Sequence, residues 1–202
     1  MKTQITKLTL LALAIAVSSC SPNNPATPNN PLSTSATCNT VGTDFQNLYA
    51  ATVAQPGNSN VVTYDSEIHS YDFQVTAPKK ICSLGYQSQP AIAGTPYLFE
   101  IFDNTTSTMV YSGSMVFSSL TTSFVSITPV VLTVGDRYTI RRIQTMWGTN
   151  IGNTIGRLVR NSTGNVTFPQ ISGSLMITGS KLYQNAGTQL NWAIPYIDIV
   201  FQ

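Results

Sequence analysis

The sequence predicts an all-β domain, an antiparallel β-sandwich or jelly roll, that follows a signal peptide and a disordered Pro/Asn linker. The first observation is a series of short segments in which apolar and polar residues alternate and β-branched and aromatic residues are frequent. The second is that Gly, Pro, Asn and Ser separate these segments. The third is that only residues 45–54 have helical periodicity, and this scarcity of helices disfavours an α/β fold.

The alternation predicts ten strands along the chain. They cover residues 61–64, 68–75, 80–86, 97–103, 108–115, 124–132, 137–143, 157–159, 173–180 and 195–201. In the second of them, Tyr71, Phe73 and Val75 alternate with Asp72 and Gln74. This half-apolar pattern predicts that the face carrying Tyr71 and Phe73 packs on a core.

Residues 1–19 have the three zones of a secretion signal. Lys2 and Lys7 give a positive head, an apolar run of about ten residues follows, and Ser18 and Ser19 end it with small side chains. A helix that spans a bilayer needs about twenty apolar residues, so this run is too short for a conventional membrane anchor.

The stretch Val17-Ser18-Ser19-Cys20 resembles the lipobox of bacterial lipoproteins, in which an apolar and two small residues precede a lipidated cysteine. The resemblance implies that Cys20 becomes the first mature residue and carries a lipid. Each buried methylene of such a lipid contributes about 0.8 kcal/mol to membrane binding. The alternative is an ordinary secretory signal with a cysteine near its cleavage site.

Residues 20–37 are predicted to form a flexible tether. Residues 21–31 contain four prolines, four asparagines and no charge, a composition that cannot build a core. Ser21 stands where enteric lipoproteins retained at the inner membrane carry aspartate, so the resemblance favours the outer membrane, with its periplasmic and surface faces both open. Residues 38–202 then form a single β-sandwich domain, long enough to bury a sizeable core.

The charge balance narrows the classes of partner. Removal of the signal takes Lys2 and Lys7 from the ten basic residues and leaves eight, against eight acidic residues. The mature chain is therefore nearly neutral, and its charge gives no case for binding nucleic acid.

Two cysteines remain after Cys20, and an even pair in an oxidising compartment predicts one disulfide between Cys38 and Cys82. The alternative is a pair of free buried thiols. These two cysteines and the single histidine, His69, lack a fourth ligand at a recognisable spacing, so we expect no metal site and no cofactor.

Four segments resemble a bacterial sandwich module that is known as an uncharacterised extracellular domain and occurs alone or beside carbohydrate-active modules. The segments are YDFQV at residues 71–75, ICSLGY at 81–86, YLFEIFD at 97–103 and VVLTVGDRY at 130–138. The resemblance covers about residues 71–143. It implies a sandwich fold and supplies no catalytic residues.

The residues that could carry catalysis are few. A Ser-His-Asp or Cys-His mechanism would need His69, but no Gly-x-Ser-x-Gly elbow is present and a solvent-facing strand histidine explains it. A glycosidase needs two carboxylates. Asp103 and Asp136 have the sequence context of turn residues, and an ion pair with Arg141 explains Glu100 within its apolar strand. We therefore expect no enzyme.

Aromatic and amide side chains are the candidates for ligand binding. Trp147 and Asn150 lie in a predicted irregular loop after a strand, and an indole there could stack on a sugar while the amide bonds its hydroxyls. Trp192 and Tyr86 are the other candidates. For both tryptophans the alternative is a core or end-capping role.

Two functions follow from these observations. The first is a non-catalytic binding module for a glycan or another extracellular polymer, displayed on the envelope. The second is a structural or assembly lipoprotein whose partner is another envelope protein, which predicts an apolar patch or an open sheet edge.

Overall fold

The computed structural model describes residues 37–64, 66–150, 155–184 and 187–202, all in one compact unit. The predicted signal peptide and all of the predicted tether except Thr37 lie outside the described residues. Two helices, one 3-10 turn and thirteen strands are present in the described ranges. They are α1 (Asp44–Val53), β1 (Asn58–Tyr64), β2 (Ile68–Val75), β3 (Lys79–Tyr86), the 3-10 turn (Pro90–Ile92), β4 (Tyr97–Asp103), β5 (Thr108–Met115), β6 (Ser123–Leu132), β7 (Tyr138–Ile143), α2 (Trp147–Asn150), β8 (Ile155–Asn161), β9 (Gln170–Ser172), β10 (Leu175–Gln184), β11 (Gly187–Leu190), β12 (Ala193–Pro195) and β13 (Asp198–Phe201).

The fold is all-β and sandwich-like, as predicted, with antiparallel sheets packed against each other. The largest sheet has seven strands: six follow the order β11-β10-β2-β7-β4-β5, and β9 pairs with β10. The other two sheets have three strands each, in the orders β13-β3-β6 and β1-β8-β12.

The core lies between the sheets. One face of the seven-stranded sheet contributes Tyr71, Phe73, Phe99 and Ile140, and β3 contributes Leu84, all of them inaccessible to solvent. The predicted inward face of β2 is thereby confirmed. Strand β4 buries its odd-numbered residues and leaves the even-numbered ones partly exposed, so only one of its faces packs on the core.

Helix α1 matches the predicted helical segment to within one residue at each end. The hydroxyl of Thr43 caps it by accepting a hydrogen bond from the amide of Gln46 at 2.9 Å. Phe45, Leu48 and Tyr49 are buried at helical spacing, so the helix closes over the core along one face.

A buried carboxylate joins this helix to the last strand. Asp198 accepts hydrogen bonds from the Thr43 hydroxyl at 2.8 Å and from the side-chain amide of Gln46 at 2.7 Å. Burial raises the pKa of Asp198, although these hydrogen bonds and the charge of Arg157 oppose the change. The predicted Cys38–Cys82 disulfide is also present and ties the chain before α1 to β3.

The structure differs from the predicted elements in the last third of the chain. The predicted strand at residues 195–201 is two strands, because β12 pairs with β8 whereas β13 pairs with β3 in another sheet. The short strands β9 and β11 were not predicted. Both pair with β10 alone, and three or four residues are too few for alternation to be recognised.

Candidate functional site

The face of the seven-stranded sheet that points away from the core carries a row of polar side chains, which we call the outer face. Strand pairing places Glu100 opposite Arg141, Arg141 opposite Ser70, and Ser70 opposite Lys181. The row therefore crosses β4, β7, β2 and β10 in order. Each side chain points outward because its neighbours along the strand point into the core.

A hydrogen-bond network fixes the next row of this face. The side-chain amide of Asn104 donates to the Thr139 hydroxyl at 2.9 Å, and that hydroxyl donates to a carboxylate oxygen of Asp72 at 2.5 Å. The other oxygen of Asp72 lies 3.1 Å from the ammonium of Lys181. The network holds the four side chains in one arrangement before any ligand arrives.

The predicted ion pair between Glu100 and Arg141 is present, and their side chains also form a hydrogen bond. The Arg141 side chain is 40% exposed, and that of Glu100 is 14% exposed. This pairing explains the carboxylate in an apolar strand. Asp103 accepts from the amides of Thr105 and Thr106 and so serves as a turn residue.

Two hollows lie side by side on the outer face, and together we call them the polar groove. The first has a volume of about 320 Å³ and is lined by Ser70, Phe102, Asn104, Met109, Thr139, Arg141 and Lys181. The second, of about 260 Å³, is lined by Asp72, Asn104, Arg137, Thr178 and Lys181. The shared residues Asn104 and Lys181 show that the hollows adjoin.

The groove combines the groups that polyhydroxylated ligands need. Carboxylate and amide oxygens accept from hydroxyls, the ammonium and guanidinium groups donate to them, and Phe102 and Met109 offer apolar surface. Its residues come from β5, β4, β7, β2 and β10, five adjacent strands spaced to span about 19 Å. A groove of this extent suits several units of a polymer.

Tyr86, one of the predicted ligand positions, packs in the core and also lines a separate small hollow of about 70 Å³ with Gln87, Gln89 and Arg157. Its side chain is 2% exposed and packs edge-on against the rings of Tyr97, Phe99 and Phe117. It is not part of the polar groove.

The two tryptophans lie at other places in the fold. Trp147 begins α2, a single helical turn where an irregular loop was predicted, and its side chain is partly buried. The side chain of Asn150 lies outside the described residues. Trp192 packs against the buried cluster of Leu158, Leu182 and Ala193, and the Arg160 guanidinium lies 4.3 Å from its ring centroid. Neither tryptophan lines the polar groove.

The prediction that His69 faces solvent is wrong. Strand pairing places it opposite Arg142 on the inner face of the sheet, and both side chains are inaccessible to solvent. Its Nε2 accepts a hydrogen bond from the Ser66 amide at 3.2 Å. Burial and the positive charge of Arg142 hold the pKa of His69 well below its ordinary value. His69 is therefore neutral at pH 7.

Whereas its neighbour Arg141 is partly exposed on the outer face, Arg142 is buried. The guanidinium lies 5.4 Å from the Tyr86 ring and 5.3 Å from the Tyr97 ring. One of its nitrogens donates to the Ser66 carbonyl at 3.1 Å. These contacts compensate part of the cost of burying its charge.

The groove residues Asn104, Thr139 and Lys181 were not predicted. Thr139 and Arg141 alternate with Ile140 and Arg142 along β7, but the sequence does not say which strands flank β7. Within the described residues there is no group of three or more metal-ligating side chains. The comparisons with known proteins add no family: no family model and no curated protein matches this chain.

Proposed function

We propose that this protein is a non-catalytic envelope lipoprotein that binds a glycan or a similar extracellular polymer in its polar groove. A lipid on Cys20 would hold it to a membrane, with the outer membrane favoured by Ser21. Residues 20–37 would serve as the tether. In the part of the chain that the structure describes, no helix is long and apolar enough to cross a bilayer.

The observation that carries the binding proposal is the preorganised polar floor of the groove. Asn104, Thr139, Asp72 and Lys181 already bond one another, so little side-chain entropy is lost when a ligand binds. The groove is open and shallow and extends across the sheet. This shape suits an extended chain better than a small metabolite, which an enclosed cavity would bury.

The anchor is tested by the intact mass of the protein purified from bacterial membranes, compared with the Cys20→Ala variant. We expect a lipid-sized mass increment on the wild type and none on the variant. An unmodified wild-type cysteine would refute the anchor and leave an ordinary secretory signal.

The binding site is tested on a glycan array with full-length protein in detergent. We expect binding that falls at least about tenfold in Asn104→Ala or Arg141→Gln, since each removes groups worth about 1–3 kcal/mol. Lys80→Gln, on the separate sheet that contains β3, is the matched control and should bind normally. Loss in Trp147→Ala alone would place the site at α2 instead. Absence of any glycan binding would refute the proposal.

A second candidate is a structural role with a protein partner, and strand β11 favours it. All four of its residues, Gly187–Leu190, are exposed and uncharged, and it ends the order of the seven-stranded sheet. An edge of this kind can pair with a strand from another chain. Photocrosslinking from position 188 in intact cells should then give one discrete protein adduct, and Gln189→Lys should abolish it. A uniform absence of adducts would leave only the glycan proposal.

A further inference from the structure

The second hollow of the polar groove contains a cation whose side chain has no partner among the described residues. The side chain of Arg137 is exposed and lines this hollow. Its guanidinium makes no hydrogen bond or ion pair with any residue that the structure describes. Its backbone, however, is held on both sides. The backbone amide of Arg137 donates to the Thr105 hydroxyl at 2.9 Å, and its backbone carbonyl accepts from the backbone amide of Asn104 at 2.7 Å. The residue is therefore fixed in place while its five donors remain available.

On the opposite wall of the hollow, the positive charge of Lys181 is already neutralised by Asp72. The ammonium of Lys181 is 3.1 Å from Asp72, whose second oxygen accepts from the Thr139 hydroxyl. Asp72 offsets one positive charge, so Arg137, Lys181 and Asp72 together leave the hollow with a formal charge of +1. The ligand that complements this charge is a monoanion.

The chemistry of the Arg137 guanidinium indicates which kind of monoanion the hollow would bind. A guanidinium presents a planar fork that matches a carboxylate or a phosphate in a bidentate arrangement, and of the two groups the carboxylate always carries a single charge. A phosphate monoester carries about −1.5 to −2 charges at pH 7 and would leave an excess of negative charge in this hollow. Asn104 and Thr178, which line the same hollow, can bond the hydroxyls beside the carboxylate.

We propose that the second hollow binds the carboxylate of an acidic sugar residue, with Arg137 as its direct ligand. This inference rests on the proposed function, since it names the class of polymer that the groove takes. The first hollow, where the charge of Arg141 is balanced by its ion pair with Glu100, would bind the neutral hydroxyls of an adjoining sugar through Arg141, Ser70 and Asn104.

The test compares binding of a polyuronic acid with binding of its methyl ester, which keeps every hydroxyl and removes the charge. Full-length wild-type protein in detergent should bind the acid at least about tenfold more tightly, a difference of about 1.4 kcal/mol. Arg137→Gln should bind both polymers with the affinity that the wild type has for the ester. Lys80→Gln removes one exposed positive charge from a different sheet and should keep the full preference. A thermal melt of each variant shows that it is folded.

The outcomes separate this inference from the function on which it rests. Equal binding of acid and ester, or a preference that survives Arg137→Gln, would overturn the carboxylate site while leaving a polymer-binding groove. A phosphodiester polymer that binds as tightly as the polyuronic acid would overturn the assignment to a carboxylate. Binding of neither polymer, nor of any neutral glycan on the array, would overturn the proposed function itself.

Discussion

Removal of the Cys38–Cys82 disulfide should cost a large part of the stability of this domain. The two cysteines are 44 residues apart in sequence. A crosslink that closes a loop of this length lowers the entropy of the unfolded chain by about 13 cal/mol/K, which corresponds to about 4 kcal/mol at 25 °C. We therefore expect Cys38→Ser to lower the free energy of unfolding by about 2–4 kcal/mol, allowing for residual structure in the unfolded state.

The assay is urea unfolding of the variant in a Cys20→Ala background, so that no third thiol can exchange with the pair. Cys38 is the better position to change because it is partly exposed, whereas Cys82 is buried and serine there would add a buried hydroxyl. The Cys20→Ala protein treated with a reductant should unfold at the same urea concentration as the variant. A loss of less than about 1 kcal/mol would refute the loop-closure reasoning.

Three further changes test other parts of the structure. Lowering the pH from 7.5 to 5.5 should destabilise the protein through His69. Below pH 6.5 the unfolded chain takes up a proton on this side chain, whereas the folded chain does not, because burial and the charge of Arg142 lower the pKa of His69. Urea unfolding of His69→Leu should lack this component, and an unchanged pH dependence would contradict it. Gly173→Ala should lower the stability by about 1–3 kcal/mol, measured by thermal unfolding. Gly173 has a φ of +54°, and a Cβ there would clash with Asp44 Oδ1. An unchanged stability would mean that this turn relaxes freely. Phe99→Ala should cost about 3–5 kcal/mol, because the ring is fully buried between the sheets, and a cost below about 1 kcal/mol would argue against that packing.

Local pattern was sufficient to predict most of the strands. Strand β2 was predicted with its observed bounds because Tyr71, Phe73 and Val75 alternate with polar residues over its length. The helix α1 was predicted at residues 45–54, and Phe45, Leu48 and Tyr49 form its buried face. In both cases the periodicity that marks the element also places its buried face, so one local signal gives two structural facts.

Two features were not predicted correctly, the burial of His69 and the division of residues 195–201 into two strands. His69 has the parity of Tyr71 and faces the core, whereas a solvent-facing position was expected because no catalytic motif accompanies it. Its burial, and secondarily the charge of Arg142 on the neighbouring strand, lower its pKa and keep it neutral. The break between β12 and β13 likewise depends on partners in two different sheets.

The sequence by itself determined the class of fold and the disulfide. It could not determine that Asp72 and Lys181 lie beside Thr139 and Arg141 of β7. Asp72 and Lys181 belong to β2 and β10, and Lys181 is 38 or more positions from β7. Alternation fixes which face a side chain occupies within its own strand. The order of strands across a sheet is set by long-range pairing and by packing of the whole core, and it was this tertiary order that assembled the groove.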